Sequence, residues 1–317
     1  MATHSGARPV NLNLKNEEVV SLSRSRRTVN RFLRHRIAVI GVIIMVAIIL
    51  FVILGALVFS EADANYNDTS RRLQGPSTEF PFGTDTIGRN ILARIIYGGQ
   101  ISMLIGVTAV TVAVILGTTV GVASGYFGGL VDSILMRLTE AMLSIPSLLL
   151  LLVMAKFFSG KIPTQQFLGR SFSGSVIVIV LILGLTSWMT LARIVRSAVL
   201  SIRETEYIMA AEALGATKRR IILAHILPNT LAPIIVAATL GVASAILSEA
   251  YISFLGVGVQ PPTATWGNML DGSRQFIEDA PWLWFFPGLM IVLTVLSINF
   301  IGDGLRDAFD PRSDKKV

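Results

Sequence analysis

Few side chains in this sequence could do chemistry, and the hardest to dismiss is Glu249, which stands inside the apolar run "LGVASAILSEAYISF". An ionised carboxylate within a membrane span is costly unless it is paired or hydrated. Glu249, with Ser248 beside it, therefore faces either a water-filled translocation path or a buried hydrogen-bond partner, and both readings stay open. A proton relay would need more buried titratable groups. Glu140 is the only other acidic candidate and falls near the opposite face, so no chain of carriers is visible. Cysteine is absent, and the three histidines (His4, His35, His225) lie far apart. That composition offers no thiolate, no disulfide framework and no metal cage. No nucleophile–base pair is evident, which argues against an enzyme. The phosphate-cradling pattern "GxxxxGK[ST]" is also missing, so the chain does not bind a nucleotide through that motif.

A second constellation is "EYIMAAEALGATKRRIILAHILP", residues 206 to 228. Good helix formers precede Gly215, which stands where a left-handed C-terminal cap would sit; Thr217 can cap a second helix, and Pro228 is expected to stop it. Ala210 and Ala211 leave a low surface for close packing. The same pattern of glycine turn and basic second helix occurs in DNA-binding helix-turn-helix units, but this one is tied to apolar spans at both ends. A structural loop and a docking element for another protein are the remaining readings.

The elements that must position these residues follow from composition. Of 317 residues, 52% are hydrophobic and 15% charged, against about 25% charged in an average soluble domain. A helical span needs about 20 apolar residues. Six candidates can be drawn, at about 37 to 59, 101 to 123, 134 to 155, 176 to 199, 229 to 254 and 282 to 302, giving an all-α polytopic membrane protein. The third carries Arg137 and Glu140, and the fourth ends on Arg193 and Arg196. With the N-terminus cytoplasmic, nineteen Lys and Arg residues fall inside and eight outside. The positive-inside rule then puts both termini in the cytoplasm, and lipid accounts for the +7 net charge without nucleic acid.

The first apolar run is too long for a cleaved signal peptide and reads as a retained anchor. Before it, Val29, Phe32 and Leu33 share a helical face among arginines, suiting either a helix in the anionic inner interface or a disordered basic tail. Small residues recur at four-residue spacing in the second span (Gly117, Gly121, Gly125) and the fifth (Ala237, Gly241, Ala245), and both read as helix-packing seams. Outside the membrane, "TIGRNILARIIYGG" has Ile87, Ile91, Leu92, Ile95 and Ile96 opposite Arg89, Asn90 and Arg94. It is expected to be an interfacial helix stopped by Gly98 and Gly99. The second outer segment, "GVGVQPPTATWGNMLDGSRQFIEDAPW", reads as a structured cap whose Trp266, Trp282 and Trp284 could form an interfacial belt. The organisation is then a tail (1–36), a first span (37–59), an outer segment (60–97), a five-helix domain (98–303) containing the loop 203–228, and a tail (304–317).

The stretch "AAEALG", followed by "LP" 12 residues after the glycine, resembles the EAA signature of ATP-binding-cassette importer permeases. The resemblance extends to "PFGTDTIGRNILARIIYGGQIS" (81–102), "SGYFGGLVDSILMRLTEAMLSIPSLLL" (124–150), "SEAYISFLGVGVQPPTATWGNML" (248–270) and "NFIGDGLRDAFDPR" (299–312). Together these look like the second permease subunit of dipeptide, oligopeptide and nickel importers. The resemblance implies the type I importer transmembrane fold in a bacterial or archaeal inner membrane. It also implies a second homologous permease chain, two ATPase subunits that bind ATP and Mg, and an extracytoplasmic solute-binding protein. Glu206, Ala210, Ala211, Glu212, Gly215, Leu227 and Pro228 would shape the ATPase-coupling loop. The family's glutamate position holds Met209, with Glu212 three residues later, so a salt bridge to the ATPase from that position is not available here. Di- or oligopeptides are the implied cargo, with nickel or another small solute as the alternative. An ion-coupled secondary transporter using Glu249 is the rival from another class.

Overall fold

Apolar runs of this length fold as helices because lipid offers the backbone no hydrogen-bond partner. Helices make up nearly all the elements among residues 24–158, 160–167 and 170–310, which the computed structural model describes. A basic helix α1 (Arg24–Arg34) leads through His35 into α2 (Arg36–Val58), whose first turn is capped by the His35 Nδ1, which accepts from the Ala38 amide at 3.1 Å. A short helix α3 (Glu61–Asn65) opens the first outer segment, followed by α4 (Ile91–Phe127). Helices α5 (Gly129–Leu143) and α6 (Ser147–Phe158) are bent by 83° at the break between them. A hairpin of β1 (Gln165–Phe167) and β2 (Arg170–Phe172) precedes α7 (Gly174–Arg203). Then come α8 (Glu206–Ala213), α9 (Lys218–Arg220), a π turn (Ile221–Ile226), α10 (Leu227–Phe254), α11 (Trp266–Asp271) and α12 (Trp282–Phe309).

Residue pairing gives each span its direction. Gly117 of α4 meets Trp188 and Leu191 of α7, Gly121 meets Ala192 and Val195, and Gly125 meets Val199. Numbers rise together, so α4 and α7 are parallel, and the bent pair α5–α6 between them must carry the chain back across. Val52 against Gly99 and Gly55 against Ile96 make α2 antiparallel to α4. Ser102 with Glu249 and Gly106 with Ile246 make α10 antiparallel to α4, while Ala38 against Gly304 and Gly41 against Phe300 set α2 antiparallel to α12. Five single helices and one bent pair thus give six crossings. One end of the bundle gathers α1, the start of α5, the 203–228 segment and the end of α12; we call it the basic end. The tails 1–23 and 311–317, with Arg312, Lys315 and Lys316, lie outside the described residues.

At the basic end, Phe32 of α1 lies over Gly304, the Arg31 guanidinium donates to the Asp310 carbonyl at 3.3 Å, and His35 Nε2 is 3.3 Å from Asp307. Of the apolar face expected on this helix, only Phe32 packs on protein. Val29 and Leu33 remain exposed, as a surface in contact with lipid would be.

Four expectations need correcting. The amphipathic segment before the second span is not a separate interfacial helix. Asn90 caps a single helix at Ile91, with its side chain accepting from the amides of Leu92 and Ala93, and α4 runs unbroken through Gly98 and Gly99. Those glycines are buried because other groups press on them: Thr265 on Gly98, and Trp266 and Val52 on Gly99. Arg94, expected in solvent, is also buried, reaching the Ala64 carbonyl at 3.4 Å. The tryptophans form no belt as a group. Trp266 is fully buried and donates to the Ile95 carbonyl at 3.0 Å, Trp282 donates to the Thr84 carbonyl at 3.2 Å, and only Trp284 is exposed. Nor does Pro228 stop a helix. A proline deprives the turn before it of a hydrogen bond and crowds a carbonyl. Here the preceding turn widens to π geometry, the Leu227 amide reaching back to the Ile222 carbonyl, and the helix continues into α10.

The second outer segment is indeed ordered. Thr265 and Asn268 form a capping box at α11, and the Asn268 amide also donates to the Val259 and Thr263 carbonyls at 3.1 and 2.9 Å. In the first, Asp85 accepts from the amides of Ile87 and Arg89 and from the Arg89 guanidinium, and the Ser60 amide and hydroxyl hold the Asp63 carboxyl below its usual pKa range.

Candidate functional site

The loop at the basic end is built around one backbone conformation. Gly215 has φ +80°, a left-handed value that costs other L-residues about 1–2 kcal/mol, and it closes α8 with a full Schellman motif. The Ala216 amide donates to the Ala211 carbonyl at 3.0 Å, and the Gly215 amide to the Glu212 carbonyl at 2.9 Å. Thr217 then caps α9, its hydroxyl accepting from the Arg220 amide at 3.4 Å.

Helix α8 is anchored through Ile208, which is fully buried among Val199, Ile221 and Ile226. Asn229 ties the return strand of the loop to it: its side-chain amide donates to the His225 carbonyl at 2.6 Å and lies 3.5 Å from the Tyr207 hydroxyl. The end of α4 forms a platform beneath, with Arg203 over the Tyr126 ring and Lys218 over that of Phe127, each at 5.9 Å. Glu212 also faces Tyr126, within the chain. What projects outward is apolar and basic: Met209 is 52% exposed and Leu214 89%, beside the exposed Lys218, Arg219 and Arg220. Glu206, Ala210, Gly215 and Pro228 are exposed, whereas Ala211 and Leu227 are half-buried, Leu227 packing with Ile208.

The second feature is a groove of about 410 Å³ between α4, α7 and α10, lined by Val110, Ser187, Thr190, Gly241, Ser244 and Ser248 among others. Of the two small-residue series, Gly117, Gly121 and Gly125 lie wholly against α7. The other divides: Ala245 is buried in the core, while Ala237 and Gly241 line the groove. Ser248 lines it too.

Glu249 does not. It is 1% exposed, accepting from the Ser253 hydroxyl at 2.7 Å and the Ser102 hydroxyl at 3.3 Å. Ser253 in turn accepts from the Val259 amide at 3.1 Å, and Ser102 from the Trp266 amide at 3.2 Å. The carboxylate thus fastens the second outer segment to α4 and α10. We expect Glu249→Gln to keep uptake within about twofold of the parent, since a carboxamide can still bridge the serines. Glu249→Ala should lower stability by about 1–3 kcal/mol, because it orphans the two hydroxyls. Uptake assays and thermal unfolding of the purified complex check this. A folded Glu249→Gln variant without transport would instead mark a coupling carboxylate.

The family described as the inner membrane component of binding-protein-dependent transport systems matches residues 113–315, and the N-terminal transmembrane domain of oligopeptide transport permease C matches residues 23–76. The chain belongs to this family. It is 45% identical over 296 residues to a dipeptide transport system permease protein, DppC, of Alkalihalophilus pseudofirmus, covering 93% of this chain and 92% of that one. It is 40% identical over 290 residues to a putative peptide permease protein of Brucella suis, covering 91% of each. Among solved structures, a chain of the MetNI methionine ABC transporter, in an inward-facing conformation, superposes with a TM-score of 0.53 at 21% identity, covering 69% of this chain and 98% of that chain. The fold is therefore that of a type I ABC importer transmembrane subunit, and the chain is a multi-pass membrane permease.

For such a permease, several residues that shape the loop carry no signal in the linear sequence. Ile208 sits in a helix whose other positions give no period that singles it out. Tyr126 and Phe127 lie far along the chain from Arg203 and Lys218, the groups they support. The Asp132 carboxylate receives a two-pronged hydrogen bond from Arg196 at 2.6 and 2.6 Å and also binds the Ser124 hydroxyl, joining α5 to α7 and α4. Asp132 is not recognisable as a partner until the bent span folds back.

Proposed function

We propose that this chain forms half of the translocation path of an ATP-driven, binding-protein-dependent importer of di- or oligopeptides. A second homologous permease chain supplies the other half, and two ATPase subunits, which hold ATP and Mg, dock at the basic end. That end and both termini are cytoplasmic. The observation that carries this reading is the 203–228 element. Its rigid Schellman hinge holds Met209 and Leu214 outward on a base fixed by Ile208, as expected of a lever seated in another protein. Because Glu212 faces Tyr126 and Met209 is apolar, the contact would rest on hydrophobic burial and the basic residues rather than on a glutamate.

The peptide cargo is supported by the names of the relatives and by their coverage of nearly the whole chain. The segments 60–90 and 255–281, held to the spans by Trp266, Trp282 and the Glu249 knot, offer an ordered surface for an extracytoplasmic binding protein. The test is which ligands the cognate binding protein retains through purification, followed by uptake in proteoliposomes containing all subunits. Retained peptides and ATP-dependent peptide uptake are expected. A binding protein that retains no peptide, or uptake by this chain alone under an ion gradient, would overturn the proposal.

A further inference from the structure

A larger groove, about 690 Å³, opens between α5 and α7 and is lined by Met136, Thr139, Glu140, Thr190, Arg193 and Arg196, with Ile194 and Ser197. Thr190 and Ile194 also line the groove between α4, α7 and α10, so the two adjoin along α7. Both volumes fall within the range of about 300–1,000 Å³ usual for small-molecule sites.

Its charges are unusual for their depth. Arg193 lies ten residues before the end of α7 at Arg203, about 15 Å along the helix at 1.5 Å per residue. Glu140 lies eleven residues into α5. Ionised groups inside spans generally face water-filled paths or pair with one another. Arg196 follows the second course, held in its two-pronged bond to Asp132. Glu140 and Arg193 follow the first: both are exposed in the groove, and neither has an ion-pair partner within 4 Å among the described residues, although Glu140 lies near enough to Arg196 to act on its charge. With Arg196 held by Asp132, the groove presents the Arg193 cation on the α7 wall and the Glu140 carboxylate on the α5 wall, neither bridged directly by another charge among the described residues. The hydroxyls of Thr190, Ser187, Ser244 and Ser248 continue from there along a mostly apolar surface.

We propose that Glu140 and Arg193 form a subsite on the translocation path that holds a zwitterionic peptide by its two ends. Arg193 takes the α-carboxylate, whose planar oxygens match the guanidinium fork, and Glu140 takes the α-ammonium. Side chains of the peptide face the wide remainder of the groove, so the subsite is indifferent to them. This rests on the peptide-import reading above and adds a place within the membrane where the cargo is recognised by its ends.

The test uses the complete transporter without its binding protein, in detergent, and measures binding of three probes: dialanine, dialanine amide and N-acetyl-dialanine. The parent should bind dialanine about tenfold more tightly than either blocked form, as loss of a charged hydrogen bond would give. Arg193→Gln should abolish the preference for dialanine over its amide but keep that over the N-acetyl form; Glu140→Gln should do the reverse. Arg193→Lys should retain the preference. A parent that does not discriminate, variants that lose both preferences or neither, or an Arg193→Gln chain that no longer assembles with the second permease would each overturn the subsite. If the binding protein carries peptides and the complex imports them, such a result removes the subsite alone. If the binding protein retains no peptide, the import reading falls and the subsite with it.

Discussion

Gly215→Val is expected to leave the protein inserted and folded while lowering transport-coupled ATP hydrolysis about tenfold. A Cβ built at Gly215 meets nothing within 4 Å, so the substitution creates no clash and its whole effect comes through φ. At +80°, an L-residue is disfavoured by about 1–2 kcal/mol, and a β-branched one by more. Each 1.4 kcal/mol is about a tenfold change in population, so the hinge shifts about tenfold toward other conformations, in which Leu214 no longer projects from its seat. Far-UV circular dichroism and membrane insertion should match the parent. The control is Gly215→Asn, because asparagine tolerates the left-handed region better than other side chains, and it should keep most of the activity. Parental rates of ATP hydrolysis and uptake in the valine variant would show that the hinge does not transmit motion.

The second large effect is expected at Gly121, and it acts on stability rather than coupling. Its Cβ would lie 2.6 Å from the Ala192 carbonyl oxygen and 2.7 Å from Val195 Cβ. The first is backbone of a facing helix and cannot rotate away, so Gly121→Val must part α4 from α7 along their parallel seam. Overpacking of this kind costs about 1–3 kcal/mol, and the loss would spread to Gly117 and Gly125, which share the seam. We expect lower yield and a thermal transition several degrees below that of the parent. Gly241→Ala is the contrasting case: its Cβ would approach Val110 no closer than 3.4 Å, an ordinary contact, and stability should be unchanged. Equal stability of the Gly121 and Gly241 variants would mean that the seam is not close-packed.

These two glycines also show what the sequence could reveal. The demand at Gly215 is local, set by one residue's φ and the hydrogen bonds of its own turn, so helix formers before it and Thr217 after it were enough to expect the hinge. The demand at Gly117, Gly121 and Gly125 comes from another helix, but their four-residue spacing marks a continuous stripe, so a packing role was legible and its partner was not. Gly98 and Gly99 lack that periodicity. Read locally, they look like helix stops; in the structure they make room for Thr265, Trp266 and Val52, residues distant in sequence. Glu249 is similar: its cost in lipid was evident, but the choice between path and knot depended on Ser102, 147 residues away. The bend before Ser147 leaves no mark on hydropathy, which does not register that a proline interrupts the helix. At Pro228 the reverse occurred, because the π turn absorbs the constraint.

Seating of the 203–228 element in an ATPase on the cytoplasmic side can be tested directly by crosslinking. Because the chain contains no cysteine, a single thiol can be introduced without background. Leu214→Cys, 89% exposed in the loop, and Tyr66→Cys, 67% exposed in the first outer segment, would each be labelled with a short photo-crosslinker in the assembled transporter in inverted and right-side-out vesicles. A Leu214→Cys adduct with the ATPase subunit, labelled from the cytoplasmic face, is expected, and none with the ATPase from Tyr66→Cys. An ATPase adduct from Tyr66→Cys, or a Leu214→Cys thiol that is labelled only from outside and never reaches the ATPase, would contradict it.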